Sequence, residues 1–206
     1  MARVTGPLMS MDASGTVAGA IVFSRWKGLP YVRRHAIPSN PRSAKQISMR
    51  AMMSFLSRNW ATTVTPGADW IPPASTRHMS AFNLYIGDNQ AAWRSFKAPS
   101  TTYVRDELGT APSAGVVTAS GGVRSSQLSI ADGANPPDWG YLVFGQIGAT
   151  PVPSISSLVG VMLWTGSPTV FVHTPIAIGT WHYIVTGFLT TGKKGGNSTD
   201  QTAVVT

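Results

Sequence analysis

The stretch that decides the fold is Gly179-Thr-Trp-His-Tyr-Ile-Val-Thr-Gly187, a run of β-branched and aromatic residues bounded by glycines. Around it the hydrophobic pattern has a period of two, and Gly, Pro, Asp and Ser recur at short intervals. Several short strands with regular turn signals over about a hundred residues are typical of an antiparallel β-sandwich. We predict seven strands, at Val116–Ser120, Val123–Ile130, Gly140–Ile147, Leu158–Trp164, Thr169–His173, Thr180–Phe188 and Thr202–Val205.

Three motifs in this region resemble a fibronectin type III-like domain. Asp138-Trp-Gly-Tyr-Leu-Val-Phe144 is placed like the strand with the core tryptophan, and residues 179–187 are placed like the strand with the family's Tyr-x-Val-x-Ala pattern. Gly192-Lys-Lys-Gly-Gly-Asn-Ser198 matches the usual turn into the last strand, whereas Gly187 stands where alanine is commoner. The resemblance covers residues 115–206 and implies a fibronectin/immunoglobulin-like sandwich.

The first half of the chain predicts an α+β region. Residues 1–19 are small and Gly-rich, which favours an extended arm that a partner orders. Residues 20–35 place two β-branched and aromatic runs around a Gly/Pro turn, the pattern of a β-hairpin. Because an isolated hairpin is marginal in water, we expect this one to lie on another surface.

Apolar periodicity predicts two helices after the hairpin, with Ile71-Pro-Pro73 in the loop between them. The first helix runs from about Arg42 to Trp60 and the second from about Met79 to Phe96. The pattern therefore divides the chain into an extended arm (1–19), a basic hairpin-plus-helices docking domain (20–97), a linker (98–114) and the sandwich (115–206).

Charge is concentrated in the first half. Residues 1–110 contain thirteen Lys or Arg and five Asp or Glu, whereas residues 111–206 contain three of each. No acidic residue occurs between Asp12 and Asp69. A surface of one sign attracts an acidic partner, so we predict docking through eight residues of this segment: Arg25, Trp26, Lys27, Tyr31, Arg33, Arg34, Arg42 and Arg50.

Two kinds of partner fit a basic segment that contains aromatic residues. Arg and Trp are frequent anchors of protein interfaces, whereas Lys and Arg also neutralise phosphates while aromatic rings stack on bases. We favour protein docking and keep nucleic-acid binding through residues 25–60 as the alternative. A third hypothesis is a host-surface or glycan-binding module that uses Trp164 and Trp181 of the sandwich.

The first half also resembles the N-terminal region of a group of small tailed-bacteriophage and prophage proteins. The matching residues are Gly19-Ala-Ile-Val-Phe-Ser-Arg-Trp-Lys-Gly28, Tyr31-Val-Arg-Arg34, Pro38-Ser-Asn-Pro41, Gln46, Arg50 and Phe82-Asn-Leu-Tyr85. This resemblance implies a virion structural protein made in the host cytoplasm, as a capsid decoration or cement protein or a neck or tail adaptor. Its partners would be capsid, portal or tail subunits, and it would be homo-oligomeric or present in many copies.

Catalysis is not expected. The chain has no cysteine, which excludes disulfides and thiolate chemistry, and it lacks Gly-x-Ser-x-Gly, Gly-x-Gly-x-x-Gly and Walker motifs. We interpret His35, His78, His173 and His182 as ordinary surface or core residues, and Asp132 and Asp138 as turn formers. We therefore predict no catalytic, cofactor-binding or metal-binding residue. Neither a signal peptide nor a membrane segment is expected.

Overall fold

A computed structural model describes residues 3–4, 13–17, 20–26, 29–36, 42–60, 62 and 69–206. The chain forms two compact units, which divide between Pro41 and Arg42. In the first unit, side chains are described for residues 20–24 and 31–36.

The first unit contains a four-stranded antiparallel sheet, which we call the N-terminal sheet. Its strands are β1 (Arg3–Val4), β2 (Ala13–Val17), β3 (Ile21–Trp26) and β4 (Leu29–Arg34), paired in that order. The pairing of β3 with β4 confirms the predicted hairpin, whose turn at residues 27–28 lies outside the described residues. The arm contributes β1 and β2, because extended backbone must satisfy its N–H and C=O groups and a neighbouring strand does so.

Three helices begin the second unit: α1 (Ala44–Asn59), α2 (Ile71–Thr76) and α3 (Ala81–Arg94). The first and third confirm the two predicted helices, and the Ser80 hydroxyl caps α3 by accepting a hydrogen bond from the Asn83 N–H. The prediction of a loop at residues 71–73 is wrong. Two prolines occupy the first turn of α2, where a helix needs no backbone N–H donors.

The remainder of the second unit is a sandwich of two antiparallel sheets. One sheet has the order β5 (Val116–Gly122), β6 (Ser125–Ala131), β9 (Thr169–His173). The other has the order β11 (Lys194–Asn197), β10 (Gly179–Phe188), β7 (Gly140–Ile147), β8 (Leu158–Leu163), and β12 (Gln201–Val205) also pairs with β10. The predicted fold class and all seven predicted strands are confirmed. The eighth strand, β11, lies in the segment predicted as a turn.

Strand β7 is buried on both faces. Tyr141 and Val143 face the other sheet and join the core between the two sheets. Leu142 and Phe144 face the opposite way and join a second core with the helices, in which the rings of Phe55 and Trp139 lie 5.1 Å apart. The helices thus form a third layer on the outer face of the larger sheet.

This third layer changes the predicted domain division. The helices were assigned to a docking domain with the hairpin, yet they share a core with the sandwich, and the compact unit begins at Arg42. The predicted linker, residues 98–114, is irregular but packed. Ser100 is fully buried, its N–H donates to Asn89 Oδ1 at 2.7 Å, and Trp70 Nε1 donates to the Thr101 carbonyl at 2.6 Å. Buried contacts of this kind hold the segment against the helices.

Candidate docking surface

The register of the β3–β4 hairpin decides how the predicted docking residues are arranged. Residues directly opposite one another in an antiparallel pair lie on the same face, and successive residues alternate between faces. Arg33 is opposite Val22, and Tyr31 is opposite Ser24, so these four residues share one face. Arg34 is opposite Ile21 on the other face. Neighbouring arginines of β4 therefore lie on opposite faces of the sheet.

The described side chains of the N-terminal sheet, from residues 20–24 and 31–36, are all half-buried or exposed. Val32 is 59% exposed and Tyr31 37% exposed, although both are apolar in character. Arg33 and Arg34 are exposed, and no ion pair within the described part of the chain involves either of them. The surface combines uncovered apolar area with uncompensated positive charge.

The structure divides the other predicted docking residues between the β3–β4 hairpin and the second unit. Arg25 and Trp26 lie at the end of β3, where they pair with Pro30 and Leu29, and Lys27 lies outside the described residues. Arg42 and Arg50 are exposed but belong to the second unit, just before α1 and within it. Of the eight residues, the β3–β4 hairpin therefore contains five: Tyr31, Arg33 and Arg34 on β4, and Arg25 and Trp26 on the neighbouring strand β3.

A groove of about 570 Å³ is present in the second unit. Its floor is β8, and its walls are α1 on one side and β9 on the other. Arg58 is the charged side chain that lines it, whereas the sheet side is apolar. Gly160 allows the Phe171 ring to lie on β8, since a Cβ at this position would be 2.4 Å from two atoms of that ring. The groove has no cluster of catalytic side chains among its lining residues.

A polar network lies between the two sheets. The Tyr183 hydroxyl forms hydrogen bonds with Ser126 on β6 and, at 3.0 Å, with Nδ1 of His173 on β9. Burial lowers the pKa of His173 from 6.5 to about 4 and raises the pKa of Tyr183. Ser126 is opposite His173 in the β6–β9 pairing, and the hydrogen bond of each side chain goes to the Tyr183 hydroxyl that lies between them. The network joins strands of the two sheets.

Asp132 and Asp138 of the sandwich accept hydrogen bonds from residues that are distant in sequence. Asp132 accepts hydrogen bonds from the Tyr141 hydroxyl at 2.6 Å and from Trp164 Nε1 at 3.1 Å. Asp138 accepts from the backbone N–H of Thr190 at 2.7 Å and from its hydroxyl at 3.0 Å. The interpretation of these aspartates as simple turn formers was incomplete, because each carboxylate reaches a segment distant in sequence.

The hydrogen-bonded pair of His182 and Asp200 was not predicted from the sequence. Nδ1 of His182 lies 2.7 Å from Asp200, which also accepts from the Thr150 hydroxyl at 2.6 Å. Burial raises the pKa of Asp200, but the hydrogen bonds from Thr150 and His182 outweigh this effect, so its pKa is lowered overall. His182 and Thr150 are eighteen and fifty residues from Asp200 in sequence. A local sequence pattern therefore does not predict these contacts.

The two tryptophans considered for glycan binding are both engaged within the sandwich. Trp164 donates its Nε1 hydrogen to Asp132, and Trp181 donates to the carbonyl of Ala177 at 2.9 Å. The Trp181 ring is stacked on Tyr183 at an interplanar angle of 17°. Both residues are half-buried.

Within the described residues, no group of three or more His, Cys, Asp or Glu side chains is arranged to hold a metal ion. In the same part of the chain, no helix is long and apolar enough to cross a membrane.

No known protein family and no curated protein sequence matches the chain. Solved structures that are similar to it include the β-1,2-glucanase from Parabacteroides distasonis, which is 13% identical with a TM-score of 0.39 over 48% of this chain and 13% of that chain. An Fn3-like protein from Clostridium thermocellum is 19% identical, with a TM-score of 0.30 over 47% of this chain and 96% of that one. The chicken CNTN1 FN1-FN3 domains are 16% identical, with a TM-score of 0.34 over 47% of this chain and 34% of that chain.

The sandwich is fibronectin type III-like. Its three-stranded sheet of β5, β6 and β9 faces a sheet built on β7, β8 and β10, which confirms the predicted β-sandwich. The helix layer lies on the outer face of that second sheet. The chain covers only 13% of the glucanase, so that enzyme's activity is no guide to this protein.

Proposed function

We propose that this protein is a non-enzymatic structural component of a tailed-phage virion. It docks on an acidic neighbouring subunit through the N-terminal sheet, while the helix-covered sandwich forms a separate unit. The observation that carries this proposal is the absence of a buried side chain among the described side chains of the N-terminal sheet.

Because none of the described side chains of this sheet is buried, we infer that the sheet depends on another surface. A sheet becomes independently stable when one of its faces is covered, and burying an aliphatic or aromatic side chain contributes about 1.5–3 kcal/mol. Ile21 is 42% exposed and Val32 59% exposed, and the two lie on the same face of the hairpin. Docking that covers this face buries the exposed Ile21 and Val32 side chains.

The positive charge on β4 favours an acidic partner. Arg33 and Arg34 are exposed on β4, and the sequence offers no acidic residue between Asp12 and Asp69 to neutralise them. Opposite charges across an interface steer encounter and suppress wrong partners. An acidic protein surface therefore fits this sheet, and a second copy of the same sheet does not.

The virion assignment is supported by the resemblance of the N-terminal motifs to small tailed-phage proteins. A subunit of a particle meets its neighbours in a fixed geometry, and a sheet ordered by its neighbour suits that setting. Attachment to the capsid shell as a decoration or cement protein, or to the neck or tail as an adaptor, uses the same docking chemistry. Both settings place the protein in many copies.

Charge reversal in assembled particles tests the proposal. Particles that assemble with an Arg33→Glu, Arg34→Glu variant should incorporate less than about a tenth of the normal amount, because a tenfold loss needs only about 1.4 kcal/mol. The matched control is Arg124→Glu, an exposed arginine in the turn between β5 and β6, which should be incorporated normally. Normal incorporation of the double variant would refute electrostatic docking through this sheet.

Binding to nucleic acid by the same segment is the competing outcome. Phosphate binding needs no particle and weakens steeply with salt, with a slope of about −0.9 per phosphate contact on duplex DNA. A gel-shift titration of the purified chain with duplex DNA at two salt concentrations measures this directly. Tight, salt-sensitive DNA binding that the double variant abolishes, together with its normal incorporation into particles, would replace docking by a nucleic-acid function.

A further inference from the structure

We propose that the sandwich forms a symmetric dimer in which β9 pairs antiparallel with β9 of a second copy of this chain. Strand β9 ends the three-stranded sheet, and no strand among the described residues pairs with its outer edge. This surface is distinct from the N-terminal sheet and goes beyond the docking function.

The exposed side chains of β9 lack the features that protect an edge strand. Natural edges carry lysine, inward-pointing charge, bulges or proline, which block pairing with another chain. Strand β9 reads Thr169-Val-Phe-Val-His173, without a lysine, an acidic residue or a proline. Val170 is 49% exposed and Val172 53% exposed. An apolar, unprotected edge is one that a partner covers in the assembled protein.

The strand is self-complementary. A twofold axis through Phe171 places Val170 opposite Val172 of the second copy and Val172 opposite its Val170, as an isologous interface requires. Directly opposite apolar pairs of this kind contribute about 0.2–1 kcal/mol each, and the axis produces the pair twice. Pro168 and Pro175 flank the strand and have no N–H to donate, so pairing ends where the strand ends.

The outward face of the β5–β6–β9 sheet carries no charge that would repel a second copy. The outward-facing rows of the sheet carry no ionisable side chain: one row is Thr118, Ser129 and Val170, and the next is Ser120, Gln127 and Val172. Residues 111–206 contain three basic and three acidic residues in total. The N-terminal sheet, in contrast, repels a copy of itself. A second copy of this chain is therefore the occupant that fits the β9 edge.

Space for the second copy is present beside the edge. Helix α1 packs on β8, and the groove of about 570 Å³ separates α1 from Val170, Phe171 and Val172. A strand added to β9 on this side would place side chains against the apolar wall of the groove.

Sedimentation velocity of the full chain tests the dimer. At about 100 µM and in about 0.5 M salt, which screens exposed charges, the wild-type chain should sediment as a dimer. Val172→Lys should weaken dimerisation at least about tenfold, since it replaces an apolar pair beside the twofold axis with a lysine, the residue that natural edge strands use to block pairing. The matched control is Val116→Lys, an exposed valine on β5 at the opposite side of the same sheet, which should dimerise normally. A monomeric wild-type chain, or a Val172→Lys variant that remains dimeric, would overturn the proposal.

Cysteine cross-linking checks the register independently of stability. The chain has no cysteine, so introduced thiols report one contact each. A mixture of Val170→Cys and Val172→Cys chains should form the mixed disulfide, since opposite Cβ atoms lie about 4.5–5.5 Å apart. Either variant alone should cross-link much more slowly, and equal rates would contradict the β9 register. The Arg33→Glu, Arg34→Glu variant should remain dimeric, which separates failure of this proposal from failure of docking.

Discussion

Acidification should destabilise the sandwich through one half-buried histidine. His173 lies between the sheets with Nδ1 at 3.0 Å from the Tyr183 hydroxyl, and the edge of its ring meets Trp181 at a centroid distance of 5.0 Å. No carboxylate forms an ion pair with it among the described residues, so the imidazolium form gains no compensating charge. Protonation therefore places an unpaired charge in an aromatic environment, which native packing opposes.

The direction and the size of this destabilisation follow from the pKa of His173, which burial lowers from 6.5 to about 4. The unfolded chain binds the proton more readily, so the stabilisation is complete above about pH 6.5 and is lost as the pH falls towards 4. At 1.36 kcal/mol per unit, the loss is about 2 kcal/mol at about pH 5 and approaches about 3 kcal/mol below pH 4. Asp200, whose pKa is lowered, contributes its own loss at lower pH.

Urea unfolding followed by tryptophan fluorescence, repeated from about pH 7.5 to pH 4.5, measures this loss. His173→Gln keeps a hydrogen-bonding group but cannot titrate, so its stability should change by about 2 kcal/mol less between about pH 7.5 and pH 5 than that of the wild type. His78→Asn is the control: it removes an exposed histidine at φ 53, a conformation that asparagine tolerates, and should keep the wild-type pH dependence. If the free energy of unfolding changed equally with pH in the wild type and in His173→Gln, the assignment of this pH dependence to His173 would be refuted.

Packing provides two further predictions, each measurable by thermal or urea unfolding. Gly160→Ala should destabilise the sandwich by about 1–3 kcal/mol because the new methyl group meets the Phe171 ring, whereas Gly87→Ala within α3 meets no atom within 4 Å and should stabilise by about 0.5–1 kcal/mol. Phe55→Ala should cost about 3–5 kcal/mol by opening the core between α1 and the sandwich, whereas Met53→Ala, at a side chain 39% exposed, should cost less than about 0.5 kcal/mol. Equal effects within either pair would contradict the packing described.

Local pattern predicted the sandwich well where a strand alternates between a packed face and a solvated face. In β6, Ser126, Leu128 and Ile130 are buried and Gln127 is exposed, which is the period that the sequence displays. The strand β11 escaped prediction because Gly195 and Gly196 are typical of turns. The pairing of β11 with β10 is a tertiary contact, which local β-propensity does not predict.

The helix layer was not predicted, although the sequence contains its signal. Residues 140–145 are buried without interruption, and Tyr141-Leu-Val-Phe144 is a continuous apolar run. A strand buried on one face alternates, whereas a strand buried on both faces does not. The run therefore implied a covering layer, and the apolar stripe of α1 was available to supply it. Assigning the helices to a separate docking domain left both surfaces without a partner.

The arrangement of β4 restricts how an acidic partner can dock. Arg33 and Arg34 lie on opposite faces, so a flat acidic surface contacts one arginine and leaves the other in solvent. Strand β4 ends the described N-terminal sheet, and a partner strand added at this edge presents successive side chains to both faces. Two consecutive acidic residues on such a strand would meet both arginines. Edge pairing therefore makes incorporation sensitive to both single charge reversals, whereas docking of one face makes it sensitive to only one.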